Sequence, residues 1–391
     1  MYKVLTLNKI EKEGLNLLSL DDYEIGTEIA NPDAILLRSF DMHEMKLPET
    51  LLAVGRAGAG VNNIPVEKCT NQGIVVFNSP GANANAVKEL VLAGLFLSSR
   101  DIFPGMTYVQ TIKGKGNEVP GLVEKNKGQF AGSEIMGKTL GVVGLGKIGV
   151  LVANAAQALG MKVIGLDPFI SIENAWGLSK DVIRARGIEE LLAQSDYITL
   201  HTPLNDGTKG LLNESRFKAM KKGVRILNFS RGGIVNNEAL LKAIEEGIVA
   251  RYVTDFPDDE LLGVEKVIAI PHLGASTKEA EVNCAFIVIN QLKDFLEKGN
   301  ITNSVNYPDA TLPSSSNYRL LIMNKNVPNM VGQISSILAK AGVNILEMLN
   351  KSKGDYAYNI IDVANELSKK TLKEISDVDG VIKVRFLAAS N

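Results

Sequence analysis

Thr139–Val143 is a short apolar, β-branched run that leads straight into Gly144-Leu145-Gly146-Lys147-Ile148-Gly149 and then into an alanine-rich helical stretch ending at Leu159. A strand, a glycine turn and a helix in that order leave few folds open. Gly144 permits the tight turn, Gly146 lets a pyrophosphate approach the backbone, and Gly149 allows close helix–strand contact. The helix N-terminus at Lys147 and Ile148 would stabilise the phosphate charge. Asp167 ends the next apolar run, where a carboxylate accepts hydrogen bonds from an adenosine ribose. No Arg or Lys follows in Pro168-Phe169-Ile170-Ser171, so the pattern predicts NAD rather than NADP.

The rest of the chain extends the alternation. Val4–Leu7, Ala34–Leu37, Leu51–Val54 and Ile74–Val76 read as buried parallel strands, and further strands are expected at 162–166, 197–200, 225–229, 252–254 and 267–270. Helical spacing covers Asn85–Ser99 and Thr277–Lys298, which would carry the chain into and out of an inserted domain, and the Gly- and Lys-rich stretch 104–137 reads as a crossing loop. This is a doubly wound α/β pattern. A length of 391 residues predicts two or three domains.

A net charge of -2 gives no pull toward nucleic acid or membrane, and two cysteines, Cys69 and Cys284, make no disulfide framework and no metal site. The apolar N-terminal run is shorter than a signal peptide and no stretch reaches membrane-spanning length, so a soluble, cytoplasmic protein is expected.

Three motifs fall at strand ends: Asn228-Phe229-Ser230-Arg231-Gly232-Gly233, Asp255-Phe256-Pro257-Asp258-Asp259-Glu260, and Pro271-His272-Leu273-Gly274. Ligands of open α/β sheets bind beyond the carboxyl ends of strands, so the three should face one crevice. Oxidising an alcohol by hydride loss needs a base for the hydroxyl proton, which suits histidine. A carboxylate fixes the imidazole and stabilises its charge, and an arginine grips a substrate carboxylate. His201 reads as a structural strand-end residue and His43 as a surface one. The lysines at 113, 115, 125 and 127 read as a solvated face.

Together with Arg56-Ala57-Gly58-Ala59-Gly60-Val61-Asn62-Asn63 and His201-Thr202-Pro203, these motifs resemble the D-isomer-specific 2-hydroxyacid dehydrogenases over about residues 1–308. The resemblance implies a flavodoxin-like substrate domain at 1–92 and 282–308 and an inserted Rossmann NAD-binding domain at 93–281. It makes Arg231, Glu260 and His272 the catalytic set, with Asp258 and Asp259 as adjacent rivals for the carboxylate. Asp255 would contact the nicotinamide carboxamide, and Ser79, Thr202, Phe229 and Gly274 would lie beside the cofactor. Arg38, Ser39, Gly58, Ala59, Gly60 and Asn83 would bind substrate, with Arg56 and Lys127 as further candidates for a phosphate. Asn62 and Pro65 stand where the family usually has aspartates.

After a linker at 309–317, residues 318–391 read strand, helix, strand, strand, helix, strand and resemble an ACT domain, a βαββαβ regulatory fold. Asn326 and Asn344 match asparagines that hold serine in regulated relatives, whereas Asn324 replaces a histidine and Asn329 a glycine. The combination is similar to the branch of the family that oxidises 3-phosphoglycerate in serine biosynthesis. It implies a phosphorylated 2-hydroxy acid as substrate, serine as an effector, and a homodimer or homotetramer. A glyoxylate or hydroxypyruvate reductase, and a non-catalytic NAD-sensing protein, remain open alternatives.

Overall fold

The computed structural model describes residues 1–313 and 318–388, which form two units: 1–83 with 278–388, and 84–277. The division falls at 83/84 and 277/278, so Ala84–Leu92 of the Ala84–Ser99 helix and the first turn of Lys278–Lys298 lie on the other side of the boundaries expected from sequence. Residues 314–317 of the expected linker and 389–391 of the C-terminal module lie outside the described residues.

In the first unit, β1 (Tyr2–Leu7), β2 (Tyr23–Gly26), β3 (Ala34–Leu37), β4 (Ala53–Arg56) and β5 (Val75–Phe77) form a parallel sheet of order β2-β1-β3-β4-β5. β3 and β5 are buried at every residue, as strands covered on both faces must be. β2 was not foreseen, because Tyr23-Glu24-Ile25-Gly26 carries too little apolar signal. Helix Lys278–Lys298 lays Cys284, Ala285, Val288, Ile289, Leu292, Phe295 and Leu296 onto this sheet at helical spacing.

In the second unit, β6 (Thr139–Val143), β7 (Lys162–Leu166), β8 (Ile183–Arg184), β9 (Tyr197–Leu200), β10 (Val224–Asn228), β11 (Val249–Thr254) and β12 (Val267–Ala269) form an all-parallel sheet of order β12-β11-β10-β9-β6-β7-β8. The order reverses between β9 and β6, which is the switch point where such sheets open a ligand crevice. The stretch 104–137 is not the crossing loop expected: helices Ile102–Thr111 and Val119–Asn126 occupy much of it, inside the second unit. Pro104 and Pro120 disguised them. Both fall in a first turn, where no N–H is needed.

The C-terminal module has the expected βαββαβ order, with β13 (Tyr318–Lys325), β14 (Ile345–Lys353), β15 (Tyr356–Val363) and β16 (Val381–Ala388) in an antiparallel sheet of order β14-β15-β13-β16. Alternation gives its strands two buried faces. Leu320, Ile322, Ile361 and Val363 pack on the module's own helices, whereas Leu321, Met323, Tyr358 and Ile360 join Phe77, Phe295 and Leu296 in the core of the first unit.

Polar groups complete this attachment. The last carbonyls of a helix have no partner within it and carry its negative dipole end. At Lys278–Lys298 the module supplies the partners. Arg385 donates to the carbonyls of Phe295 (3.0 Å) and Leu296, Arg319 to Lys298 (2.9 Å), and the Tyr358 hydroxyl to Gly299 (2.6 Å). Arg319 also forms a fully buried pair with Asp362 at 2.7 Å, and Lys383 donates to the carbonyl of Leu51 at 2.6 Å.

Candidate active site

The glycine loop is built for close backbone approach. Gly144 holds φ +92°, and a side chain there would strike the carbonyl of His201 at 2.6 Å. A Cβ on Gly149 would sit 2.0 Å from the carbonyl oxygen of Gly144, so the helix rests directly on the turn. Gly146, the residue before helix Lys147–Ala158, faces open space where a phosphate group would fit. Asp167 pins the loop: its carboxylate accepts from the amides of Leu145 and Phe169, both at 2.8 Å. A carboxylate retains acceptor capacity beyond two such bonds, enough for a ribose hydroxyl.

The ends of β10, β11 and β12 bring the second set together. Asn228 organises the first end, donating to the carbonyl of Arg231 (2.9 Å) and accepting from the amide of Ser230 (3.2 Å). The Arg231 side chain is exposed and donates to the Ser230 carbonyl at 2.6 Å. Asp255 is buried to 1% exposure and accepts from the Gly274 amide at 3.2 Å. Burial pushes its carboxyl above the usual range, opposed by the charges of His272 and Arg231 and by the Gly274 bond. The ring of Phe256 lies 4.4 Å from that of His272 and fixes one face of the imidazole. Among the described residues no hydrogen bond or ion pair joins Glu260 to His272. Asp258 is held by the Asn237 side chain at 2.5 Å.

Two buried polar atoms in this unit lack partners, Asp255 Oδ1 and Thr202 Oγ1. Both belong to residues expected to meet the cofactor. An orphaned buried acceptor costs free energy unless a ligand satisfies it, so both atoms fit a dinucleotide's polar end. Phe229 is buried under helix Ala84–Ser99, its ring near Gly94, so it supports the β10 end from below. His201 is bonded through Nε2 to the Thr199 hydroxyl at 2.9 Å, and burial pushes its pKa down to about 3.

In the first unit, the substrate candidates share the loops after β3 and β4. Asn63 braces them by donating to the carbonyls of Arg38 (3.2 Å) and Phe40 (2.7 Å), and Asn8 Oδ1 accepts from the amide of Ser39 at 3.2 Å. The amides of Ala59 and Gly60 donate to no acceptor among the described residues, which leaves a backbone cradle for an anion. The Arg56 guanidinium lies against Gly58, 2.5 Å from where a Cβ would stand. Asn83 is half-buried at the unit's edge. Arg38 is paired with Glu281 at 2.6 Å, and Lys127, in the second unit, with Glu124. Ser79 is fully buried, and its hydroxyl serves the carbonyls of Cys284 (2.8 Å) and Arg56 (3.3 Å). Asn228, Phe256 and Glu281 were missed as site residues; the first two lie inside the motifs, and Glu281 carries no local signal.

In the module, Asn326 and Asn344 are both exposed, and Asn326 donates to the Gly354 carbonyl at 3.1 Å. Asn329 adopts φ +67°, so asparagine makes the left-handed turn that glycine would make. Its side-chain oxygen then covers Gly332. Asn324 is buried and accepts from Asn359 at 2.7 Å.

The chain is similar to known proteins. Residues 96–274 match the family described as D-isomer specific 2-hydroxyacid dehydrogenase, NAD binding domain. A D-3-phosphoglycerate dehydrogenase of Methanocaldococcus jannaschii is 33% identical over 371 residues, covering 89% of this chain and 67% of that protein. One of Bacillus subtilis is 37% identical over 329 residues, covering 80% of this chain and 60% of its own length. The chain thus spans about three fifths of that relative. The crystal structure of an NAD+-bound 3-phosphoglycerate dehydrogenase from Entamoeba histolytica superposes with a TM-score of 0.62 at 27% identity, covering 78% of this chain and 98% of that one.

Proposed function

Because the chain belongs to the D-isomer-specific 2-hydroxyacid dehydrogenase family, we propose that it oxidises 3-phosphoglycerate to 3-phosphohydroxypyruvate in serine biosynthesis. The observation that carries this reading is the pair of orphaned buried oxygens, Asp255 Oδ1 and Thr202 Oγ1, in the unit that holds the glycine loop, with the His272 ring set against Phe256, the residue after Asp255. NAD supplies the hydride acceptor. Gly146, Lys147 and Asp167 would hold its phosphates and ribose, and Thr202 and Asp255 its nicotinamide end.

His272 takes the substrate's hydroxyl proton as the carbon–oxygen bond becomes a carbonyl. Arg231 grips the substrate carboxylate and polarises the reacting oxygen. Glu260 stabilises the imidazolium, which requires the loop after Asp255 to bring its carboxylate to the ring as substrate binds. The first unit is the substrate domain, with the amides of Ala59 and Gly60 for the carboxylate and Arg38 for the phosphate. NADH formation is expected to be far faster with 3-phosphoglycerate than with glycerate or D-lactate. Equal rates would move the assignment to an unphosphorylated substrate.

The ACT-like module is read as an oligomer contact that takes serine at Asn326 and Asn344, since a side-chain amide meets both carboxylate and ammonium. The protein is taken to be a homodimer or homotetramer. Titration of the full chain with millimolar serine, followed by heat and by activity, tests this. No heat and no change in rate would leave the module structural.

A further inference from the structure

The second unit has a cleft of about 330 Å³ at the end of its sheet opposite the glycine loop, where β10 and β11 begin. It belongs to neither the catalytic set nor the dinucleotide loop. Arg225, Arg251 and Lys266 line it, with Asp101 as its only carboxylate.

An irregularity in the sheet creates this concentration of charge. Val224 pairs with Val249, but Arg225 pairs with Arg251, so Ala250 is an extra residue on β11. Bulges are rare in parallel sheets and re-aim the side chains that follow. In regular register Arg225 would face Ala250. The bulge instead sets two arginines side by side on adjacent strands, an arrangement that repels. Asp101 relieves one of them, binding Arg251 at 2.7 Å. Arg225 has no carboxylate partner among the described residues. It is held in place by the Ser98 carbonyl (2.8 Å), the Ser133 hydroxyl (3.2 Å) and the ring of Tyr197. The Lys266 ammonium has no hydrogen-bond or ion-pair partner among the described residues. Its backbone is fixed one residue from Arg251, accepting from the Tyr252 amide at 3.0 Å. The wall is also built: a Cβ on Gly132 would lie 2.1 Å from the Ser99 carbonyl oxygen, so only glycine closes that side.

We propose that this cleft is a second ligand site, which takes a small phosphate-bearing anion. Three cations against one carboxylate leave two positive charges, which match a phosphate dianion. The volume admits a small metabolite and excludes a dinucleotide.

The test is calorimetric titration of inorganic phosphate into the full chain with NADH present, so that the glycine loop is occupied. Lys266→Gln should weaken the phosphate isotherm about tenfold or more, the scale of one charge-assisted hydrogen bond. Lys266→Arg should largely restore it, and turnover in phosphate-free buffer should be unchanged in both. Identical isotherms for the wild type and Lys266→Gln, or no phosphate heat in the wild type, would overturn the proposal. So would a change in sedimentation of Lys266→Glu with phosphate binding intact, which would assign the cleft to another copy of the chain. The difference between wild type and Lys266→Gln does not depend on the substrate assignment, because any phosphate heat from the substrate site is common to both.

Discussion

His201 and His272 both follow strands of the same sheet, yet burial separates their chemistry. His201 is held by Thr199, and its pKa near 3 keeps it neutral across any working pH. It therefore adds nothing to a pH–rate profile. His201→Gln is expected to leave that profile unchanged, while Glu260→Gln displaces it and His272→Ala lowers kcat by about 100-fold or more with NADH binding retained. Near-normal turnover in His272→Ala would sink the assignment. His201 has a stability signature of its own. A base with a depressed folded pKa binds fewer protons than the unfolded chain once the pH falls below about 6.5. The wild type thus loses stability on acidification, by at most about 1.4 kcal/mol per pH unit, and His201→Gln should remove that slope. Asp255 has the opposite sense. Its raised carboxyl pKa favours the protonated form, so its destabilising charge grows as the pH rises above the usual aspartate range. Asp255→Asn should raise the melting temperature by a few degrees at pH 7 and by less as the pH falls toward the usual aspartate range, while weakening NAD binding. A variant no more stable than the wild type at pH 7 would show that burial of this charge is not costly.

At the scale of elements, a buried ion pair inside the module sets the Arg319 side chain that also reaches the end of the neighbouring helix. Arg319 and Asp362 are 4% and 0% exposed, and Arg319 also reaches the end of helix Lys278–Lys298. Removing one member of such a pair leaves an uncompensated charge at a cost of about 3–5 kcal/mol, whereas replacing both with apolar residues costs far less. Urea unfolding should therefore place Arg319→Met well below the wild type, with the double variant Arg319→Met, Asp362→Leu recovering much of the loss. Equal losses would mean that the helix carbonyls, not Asp362, are the partners that matter. The sequence made the elements of this region legible and hid their attachment. Glycine, strand and helix signals in Thr139–Leu159 are local, so the dinucleotide loop and the strand-end motifs could be read directly. Arg319, Lys383 and Arg385 look like solvent-facing charges on strands, because their partners, Lys298, Leu51 and Phe295, lie 21 to 332 residues away. The Arg38–Glu281 pair escaped for the same reason. Helix Ile102–Thr111 was hidden differently, by glycine and proline inside an otherwise apolar stripe.

At the scale of the whole chain, these contacts decide whether the C-terminal module is a tethered accessory or part of the first unit. A tethered module buries only its own core. This one gives Leu321, Met323, Tyr358 and Ile360 to the core formed with Phe77 and Phe295, and its Arg319, Tyr358 and Arg385 cap the helix that covers the five-stranded sheet. Ending the chain at Pro313 would strip those caps and expose that core face. Each lost charged hydrogen bond is worth about 1.5–3 kcal/mol, against a total domain stability of about 5–15 kcal/mol. The second unit has its own clusters of buried residues, all drawn from 84–277, and loses nothing. Differential scanning calorimetry of residues 1–313 should accordingly show the first unit's transition lowered by about 10 °C or more, or absent, with the second unit's transition in place and still raised by NADH. Two unshifted transitions would restore the picture of an independent module on a linker. A lowered first transition would instead mean that any effector bound to the module acts on a unit it helps to hold together. Its signal would then reach helix Lys278–Lys298, whose first turn carries Glu281 against Arg38.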